Sequence, residues 1–345
     1  MQKQNNADKY IIIYSDRHES YGLFDDLKDN EDVQLVPVKA KKVGKGLKRY
    51  IKKVHLSGVI ANHIRLPFKS IWYEKPEIRI DDSFRYHIIV VDMVLSSLSV
   101  ADLKKLFAKS NVKSYLLLIN SMKSNTLRQI RHDYNSIKWD AILTFDDQDA
   151  EKYNFHKVGY CYYSKRNEKE LSQNTQAGYS DAYFIGSFKR DRKDEILSVY
   201  ESLRNQGIKP EFHLMKSVKD KASELPYRDE IDYFSADRGL IPYSEVLASV
   251  LNTNTIIEIV QEGQSGPSLR YYEAVCYNKK LLTNNPFIKD FPFYDERYMK
   301  VYDDPKEIDA KWLKDKAAVN YGYHDEFSPK HLLDRIASLD SGKGN

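Results

Sequence analysis

Short, nearly continuous apolar runs alternate along this chain with stretches of helical periodicity, and that alternation limits the fold more than any single motif. KYIIIYS (9–15), VQLVPV (33–38), HIIVVD (87–92), KSYLLLIN (113–120) and DAILTF (140–145) read as strands buried on both faces. ADLKKLFAKS (101–110) and SNTLRQIRHDY (124–134) carry helical spacing between them, and DDQDAEKYNF (146–155) has the acidic start that a helix dipole favours. SDRHESYG (15–22) reads as a loop. Buried strands separated by helices imply parallel sheet covered on both faces, hence a Rossmann-like unit.

The pattern pauses at SKRNEKELSQNTQAGYS (164–180), which is polar and aperiodic and reads as a linker. It then restarts with strands DAYFIGS (181–187), PEFHLM (210–215), TIIEIV (255–260) and KKLLTNN (279–285). Helical patterns fall at 192–207, 241–250 and, last, HLLDRIASL (331–339). At 345 residues, 41% hydrophobic and 30% charged, the chain suits two globular domains. The expected class is α/β: a Rossmann-like domain over 1–165, a linker over 166–180, a second Rossmann-like domain over 181–325, and a helix and tail over 326–345 crossing back to the first. Two such domains facing across a cleft would bind ligands at the carboxyl ends of their strands.

Cys161 and Cys276 make neither a disulfide framework nor a zinc site, and the polar start MQKQNNADKY is unlike a signal peptide. The apolar runs fall far short of the ~20 residues that span a bilayer, so a cytoplasmic protein is expected. The net charge of +4 does not by itself imply nucleic acid, and the 26 tyrosines follow no RNA-stacking signature, so no nucleic-acid partner is expected. Charge is concentrated instead. Eight of the fifteen residues from Lys39 to Lys53 are Lys or Arg, among them Lys41, Lys42, Lys45, Lys48, Arg49, Lys52 and Lys53, and none is acidic. Leu47, Tyr50, Ile51 and Val54 recur at helical spacing there, which predicts a basic amphipathic helix. One reading gives it a face in the core and a solvated charged face; the other sets it against an anionic membrane surface or a phosphate-bearing acceptor.

Three loops at strand ends carry the candidate chemistry. In EGQSGPSLRYYEAV (262–275), a helix starting near Pro267 offers open N–H groups from Gly266, Ser268 and Leu269, and Arg270 adds a fork suited to phosphate. Glu273 follows two turns in, where a carboxylate could accept from two ribose hydroxyls. The plain alternative is an ordinary helix turn with Arg270 and Glu273 paired at i, i+3. In GSFKRDRK (186–193), Gly186 ends a strand before Lys189, Arg190, Arg192 and Lys193, point charges for a diphosphate, or else a solvated run interleaved with Asp191. It is neither GxGxxG nor a P-loop. In the first loop, Asp16, His18 and Glu19 could supply a general base, with Asp92 a comparable candidate at the end of HIIVVD. No HxxxH or CxxC pair is present, and no metal or cofactor is expected.

Four stretches carry a family resemblance: IRLPFKSIWYE (64–74), AILTFDDQDAEKYNFHKVGYCYYS (141–164), DAYFIGSFKRDRKDEILSVYESLRNQGIKPEFHL (181–214), and IPYSEVLASVLNTNTIIEIVQEGQSGPSLRYYEAVCYNKKLLTNNPFIKDFPFY (241–294). Together they cover most of the chain, the last most specifically, and they resemble GT-B glycosyltransferases of bacterial capsular, exopolysaccharide and O-antigen biosynthesis. The resemblance implies an acceptor domain followed by a nucleotide-sugar domain, with the donor, taken as a UDP-sugar, a substrate rather than a cofactor. Glu273 matches the glutamate that binds donor ribose. Ser265, Gly266, Pro267, Ser268 and Arg270 match the diphosphate-facing helix start, with Lys189 and Arg190 matching the basic loop opposite. The retaining members have a first glutamate eight positions earlier; here that position is Ser265, which leaves the stereochemical course open. The implied activity is metal-independent transfer of the sugar to a lipid-linked oligosaccharide, peripheral to the inner face of the membrane. A sugar-nucleotide epimerase of the same fold and an inactive scaffold subunit are the alternatives.

Overall fold

In the computed structural model the chain divides into two compact units, one made of 1–164 with 326–345 and one of 165–325. The structure describes residues 7–57, 60, 64, 66–122, 125–173, 178–188, 192–217, 220–221, 225–235, 241–260 and 266–340, without the side chains of 17–19, 125–129 and 172–173.

The first unit is built on β1 (Asp8–Ser15), β2 (Val33–Val38), β3 (Arg85–Val91), β4 (Val112–Leu118), β5 (Ala141–Thr144) and β6 (His156–Lys157). They pair in the order β2-β1-β3-β4-β5-β6, all parallel. Ile11–Ile13, Ile88–Val91 and Leu116–Leu118 are almost wholly buried, as strands covered on both faces must be. Each such Ile or Leu contributes about 1.5–3 kcal/mol on burial. Pro37 lies on edge strand β2, where a missing N–H costs no ladder bond.

The helices of this unit are α1 (Asp16–Tyr21), α2 (Leu47–His55), α3 (Val100–Phe107), α4 (Asn125–Asn135) and α5 (Asp147–Tyr153). The segment expected as a loop after β1 is thus a short helix, α1. Helix α3 is capped by Ser99, whose side chain accepts from the Asp102 N–H, and α5 by Asp146, which accepts from the Asp149 N–H. Helix α2 buries none of its residues, so its apolar face does not enter the core of this unit.

The second unit opens with α6 (Glu168–Gln173), inside the stretch read as a linker. Leu171 is buried there, and the Arg166 N–H donates to the Tyr277 hydroxyl at 3.0 Å, so this polar segment packs rather than merely connects. Its strands are β7 (Ser180–Ser187), β8 (Pro210–Lys216), β9 (Asp232–Ser235), β10 (Thr253–Glu258), β11 (Lys280–Thr283) and β12 (Met299–Val301), again all parallel, in the order β12-β11-β10-β7-β8-β9. Helices α7 (Lys193–Asn205), α8 (Tyr243–Asn252), α9 (Leu269–Cys276) and α10 (Ala310–Lys314) belong to it. The final helix, α11 (Lys330–Asp340), belongs to the first unit. Leu332 and Ile336 are buried there, and Asp340 accepts from the Tyr115 hydroxyl and the Lys113 ammonium, both at 2.8 Å.

Strand order reverses between β1 and β3 in the first unit and between β7 and β10 in the second. Open α/β sheets bind ligands outside the carboxyl ends of the strands at such switch points. The segments expected to carry chemistry follow β1, β3, β7 and β10, so the topology puts them at these two places.

Candidate functional site

At the switch point of the second unit, β7 ends in Gly186 and Ser187, and its neighbour β10 ends in Glu258. Arg192 ties the two exits together: its Nε donates to the Ser187 carbonyl at 3.1 Å and its Nη1 to the Ile259 carbonyl at 2.9 Å. Gly186 makes room for this. A Cβ there would lie 2.8 Å from Cζ of buried Phe184 and 3.5 Å from Nη2 of Arg192.

Helix α9 starts beside these exits. Ser268 is its N-cap, accepting from the Arg270 N–H at 3.1 Å, and its hydroxyl donates to Oε1 of Glu258 at 2.5 Å. The Ser268 N–H also points to the Glu258 carboxylate. The Thr283 hydroxyl, at the end of β11, donates to Oε2 of Glu258 at 2.6 Å. Burial raises the Glu258 carboxyl above its ordinary range, and the Ser268 and Thr283 donors and the Arg270 charge pull it back. This corrects the picture of open N–H groups at Gly266 and Ser268. The chain's own carboxylate takes the Ser268 N–H, and Gly266 is buried and also has a partner. A negative group at a helix N-terminus is favoured, and here Glu258 is that group.

One turn further, Nη2 of Arg270 donates to Oε1 of Glu273 at 2.7 Å, and the Tyr243 hydroxyl donates to the same oxygen at 2.8 Å. Glu273 is fully buried, and among the described residues its Oε2 has no hydrogen-bond partner. Burial pushes its pKa up to about 7 against the pull of Arg270 and Tyr243. Arg270 also lies by the Tyr183 hydroxyl, whose own pKa burial raises. The i, i+3 pairing weighed as the plain alternative is therefore present, and Glu273 offers no surface to a ligand unless Arg270 or the helix start shifts.

The remaining candidates fall as follows. Pro267 is half-buried ahead of the cap. Lys189, Arg190 and Ser265 lie outside the described residues, as do the side chains of His18 and Glu19. Asp16 begins α1 and is exposed. Asp92 is wholly buried, accepting from the Ile119 and Asn120 N–H groups and the Asn120 amide at 3.0–3.2 Å, with a pKa that burial raises to about 7. It braces the exit of β3 against that of β4. Lys41, Lys42, Lys45, Lys48, Arg49 and Lys53 are exposed, and Lys52 is half-buried with its ammonium on the Lys41 carbonyl at 2.7 Å. Among the described residues no three His, Cys, Asp or Glu side chains are grouped to hold a metal ion, and no helix is long and apolar enough to cross a membrane.

Sequence reasoning missed Glu258 and Tyr243, and counted Arg192 only as one of four basic residues. For Glu258 a signal existed: a charged residue inside the otherwise apolar run TIIEIV is a buried charge that needs partners. For Tyr243 there was none, since its partner lies 30 residues away.

No family model and no curated protein matches the chain. Among solved structures, the S. aureus MnaA-UDP co-structure is similar at 11% identity over 96% of this chain and 97% of that one, with a TM-score of 0.51. The glycosyltransferase SnogD from Streptomyces nogalater shows 12% identity over 97% and 100%, TM-score 0.46. A putative UDP-N-acetylglucosamine 2-epimerase from Listeria monocytogenes shows 10% identity over 97% of each chain, TM-score 0.47. The first of these likenesses shows the fold, GT-B-like with two Rossmann-like units.

Proposed function

We propose that the chain is a glycosyltransferase that binds a nucleotide sugar, taken as a UDP-sugar, at the carboxyl edge between β7 and β10. The observation that carries the reading is the convergence at that switch point of the β7 and β10 exits, the α9 start and the Arg270–Glu273 pair. The likeness to a protein solved with UDP supports the choice of nucleotide. On binding, the diphosphate would draw Arg270 from Glu273, and the freed carboxylate would accept from the ribose hydroxyls. Positive side chains such as Arg270 would then stabilise the departing diphosphate without a metal. The acceptor is a lipid-linked oligosaccharide of a bacterial surface polysaccharide, which would put the chain at a membrane surface. Asp16, His18 and Glu19 in the first unit are the proposed source of the base that activates it.

An epimerase of the same architecture is the second reading. A carboxyl such as Glu273, titrating at about 7, is suited to exchange a proton with a bound sugar at neutrality. Products separate the two: incubation of labelled UDP-sugars in D2O, with and without membrane-extracted acceptor. A transferase moves label to lipid only when acceptor is present; an epimerase changes the sugar without acceptor. Neither product from any donor, with nucleotide still bound, would leave an inactive scaffold.

A further inference from the structure

We infer that α2 together with residues 66–72 is a docking surface for an anionic lipid bilayer, held in the interface plane with its apolar side chains inserted. The inference deepens the reading of a membrane-borne acceptor and takes its purpose from it, though the contact itself needs no nucleotide.

A surface helix of a globular protein normally turns its apolar stripe to the core. Helix α2 does not. Leu47, Tyr50, Ile51 and Val54 lie on one face and are 75%, 65%, 47% and 36% exposed. Lys48, Arg49, Lys52 and Lys53 fall on the opposite side of the helical wheel at 100° per residue. A second segment extends the apolar patch: Phe68 is 76% and Ile71 53% exposed. Phe68 has φ of 60°, a left-handed conformation that an aromatic residue adopts at a cost, while its ring faces solvent.

The two segments are fastened to each other. The Trp72 indole donates to Nδ1 of His55 at 2.7 Å, and His55 Nε2 lies 2.8 Å from the Pro67 carbonyl, so the Nε2–H tautomer completes a chain from one segment to the other. The Lys41 N–H donates to the Trp72 carbonyl at 2.8 Å, and the Lys41 ammonium reaches the Ile71 carbonyl at 3.1 Å. The two segments are thus joined by hydrogen bonds into one patch.

Charge selects the occupant. Apolar side chains flanked by eight Lys and Arg within 39–53, with no acid among them, complement a surface that is anionic outside and hydrocarbon within. A protein partner or a second copy of this chain would not require that combination, and a second copy would set the basic rims against each other. Phe68, Lys69 and Ser70 also line a cavity of about 630 Å³ with Ser99, Arg131 and Asp133.

The test is flotation of the intact protein with vesicles of phosphatidylcholine alone or with a third phosphatidylglycerol, without nucleotide. Binding to the anionic vesicles only is expected. Lys48→Glu with Arg49→Glu should weaken it at least about ten-fold, and Ile51→Ser with Phe68→Ser by about as much, with unchanged circular dichroism. In Phe68→Trp, emission should shift to the blue on anionic vesicles and be quenched by bromolipid. Absence of flotation with a folded protein, or loss of a concentration-dependent dimer in the Ile51→Ser/Phe68→Ser variant as its only change, would overturn the proposal. Nucleotide binding measured on the same samples reports separately on the site of the second unit.

Discussion

Arg270 and Glu273 hold each other at 2.7 Å on one turn of α9, with the carboxylate wholly buried and the guanidinium nearly so. Two charges taken out of water are tolerable only as a pair. Glu273→Ala would remove the carboxylate that Arg270 and Tyr243 both donate to and should lower stability by about 3–5 kcal/mol. Glu273→Gln, which can still accept from Tyr243, should cost about 1–3 kcal/mol. Urea unfolding of the two variants measures the difference, and equal losses would mean that the pair is not what the site depends on.

The same carboxyl predicts a pH dependence. Its folded pKa is raised from 4.5 to about 7, so its contribution to stability is fully present below 4.5 and is lost as pH rises through 7. The shift corresponds to roughly 3 kcal/mol over that window. Denaturation midpoints from pH 4 to 8 should therefore change less in Glu273→Gln than in the wild type; parallel curves would show that Glu273 does not titrate there.

His213 works in a higher window. Burial opposes its charge, but Glu211 at 2.9 Å and Asp232 at 2.7 Å outweigh burial and raise its pKa above 6.5. Its contribution is present below 6.5 and is lost as pH climbs through the raised value. His213→Gln should remove that part of the alkaline decline. A decline of unchanged size in the variant would assign it to other groups.

Gly186 and Arg192 should behave as one unit. Gly186→Ala forces a methyl to within 2.8 Å of Phe184, an overpacking worth about 1–3 kcal/mol. Arg192→Ala frees the carbonyls of Ser187 and Ile259, and Arg192→Lys cannot span both with one ammonium. A double-mutant cycle in thermal unfolding should give less than the sum of the single losses. Strict additivity would mean that the glycine and the arginine act apart.

The architecture was legible because its strands are buried on both faces: runs such as IIIY and IIVV are far too short to span a bilayer and have few uses other than a covered sheet. What escaped was short or non-local. Strands β9 and β12, four and three residues long, are too brief for their pattern to rise above the loops around them. The polar stretch holding α6 gave one apolar signal, Leu171. The α9 start was legible as a cap and turn, yet its occupation by Glu258 was not, because that contact joins residues ten apart across a strand end. For α2, periodicity defined the apolar face but not whether a core would cover it; only the position of the helix outside the sheet decides that.

Hydrogen exchange of the intact protein with and without UDP would test the site most directly. A nucleotide seated between β7 and β10 predicts slowed exchange confined to 186–193 and 266–276, with the amides of α11 unaffected. Slowing only in the first unit, or none at UDP concentrations up to millimolar in a folded sample, would contradict a nucleotide site at that edge.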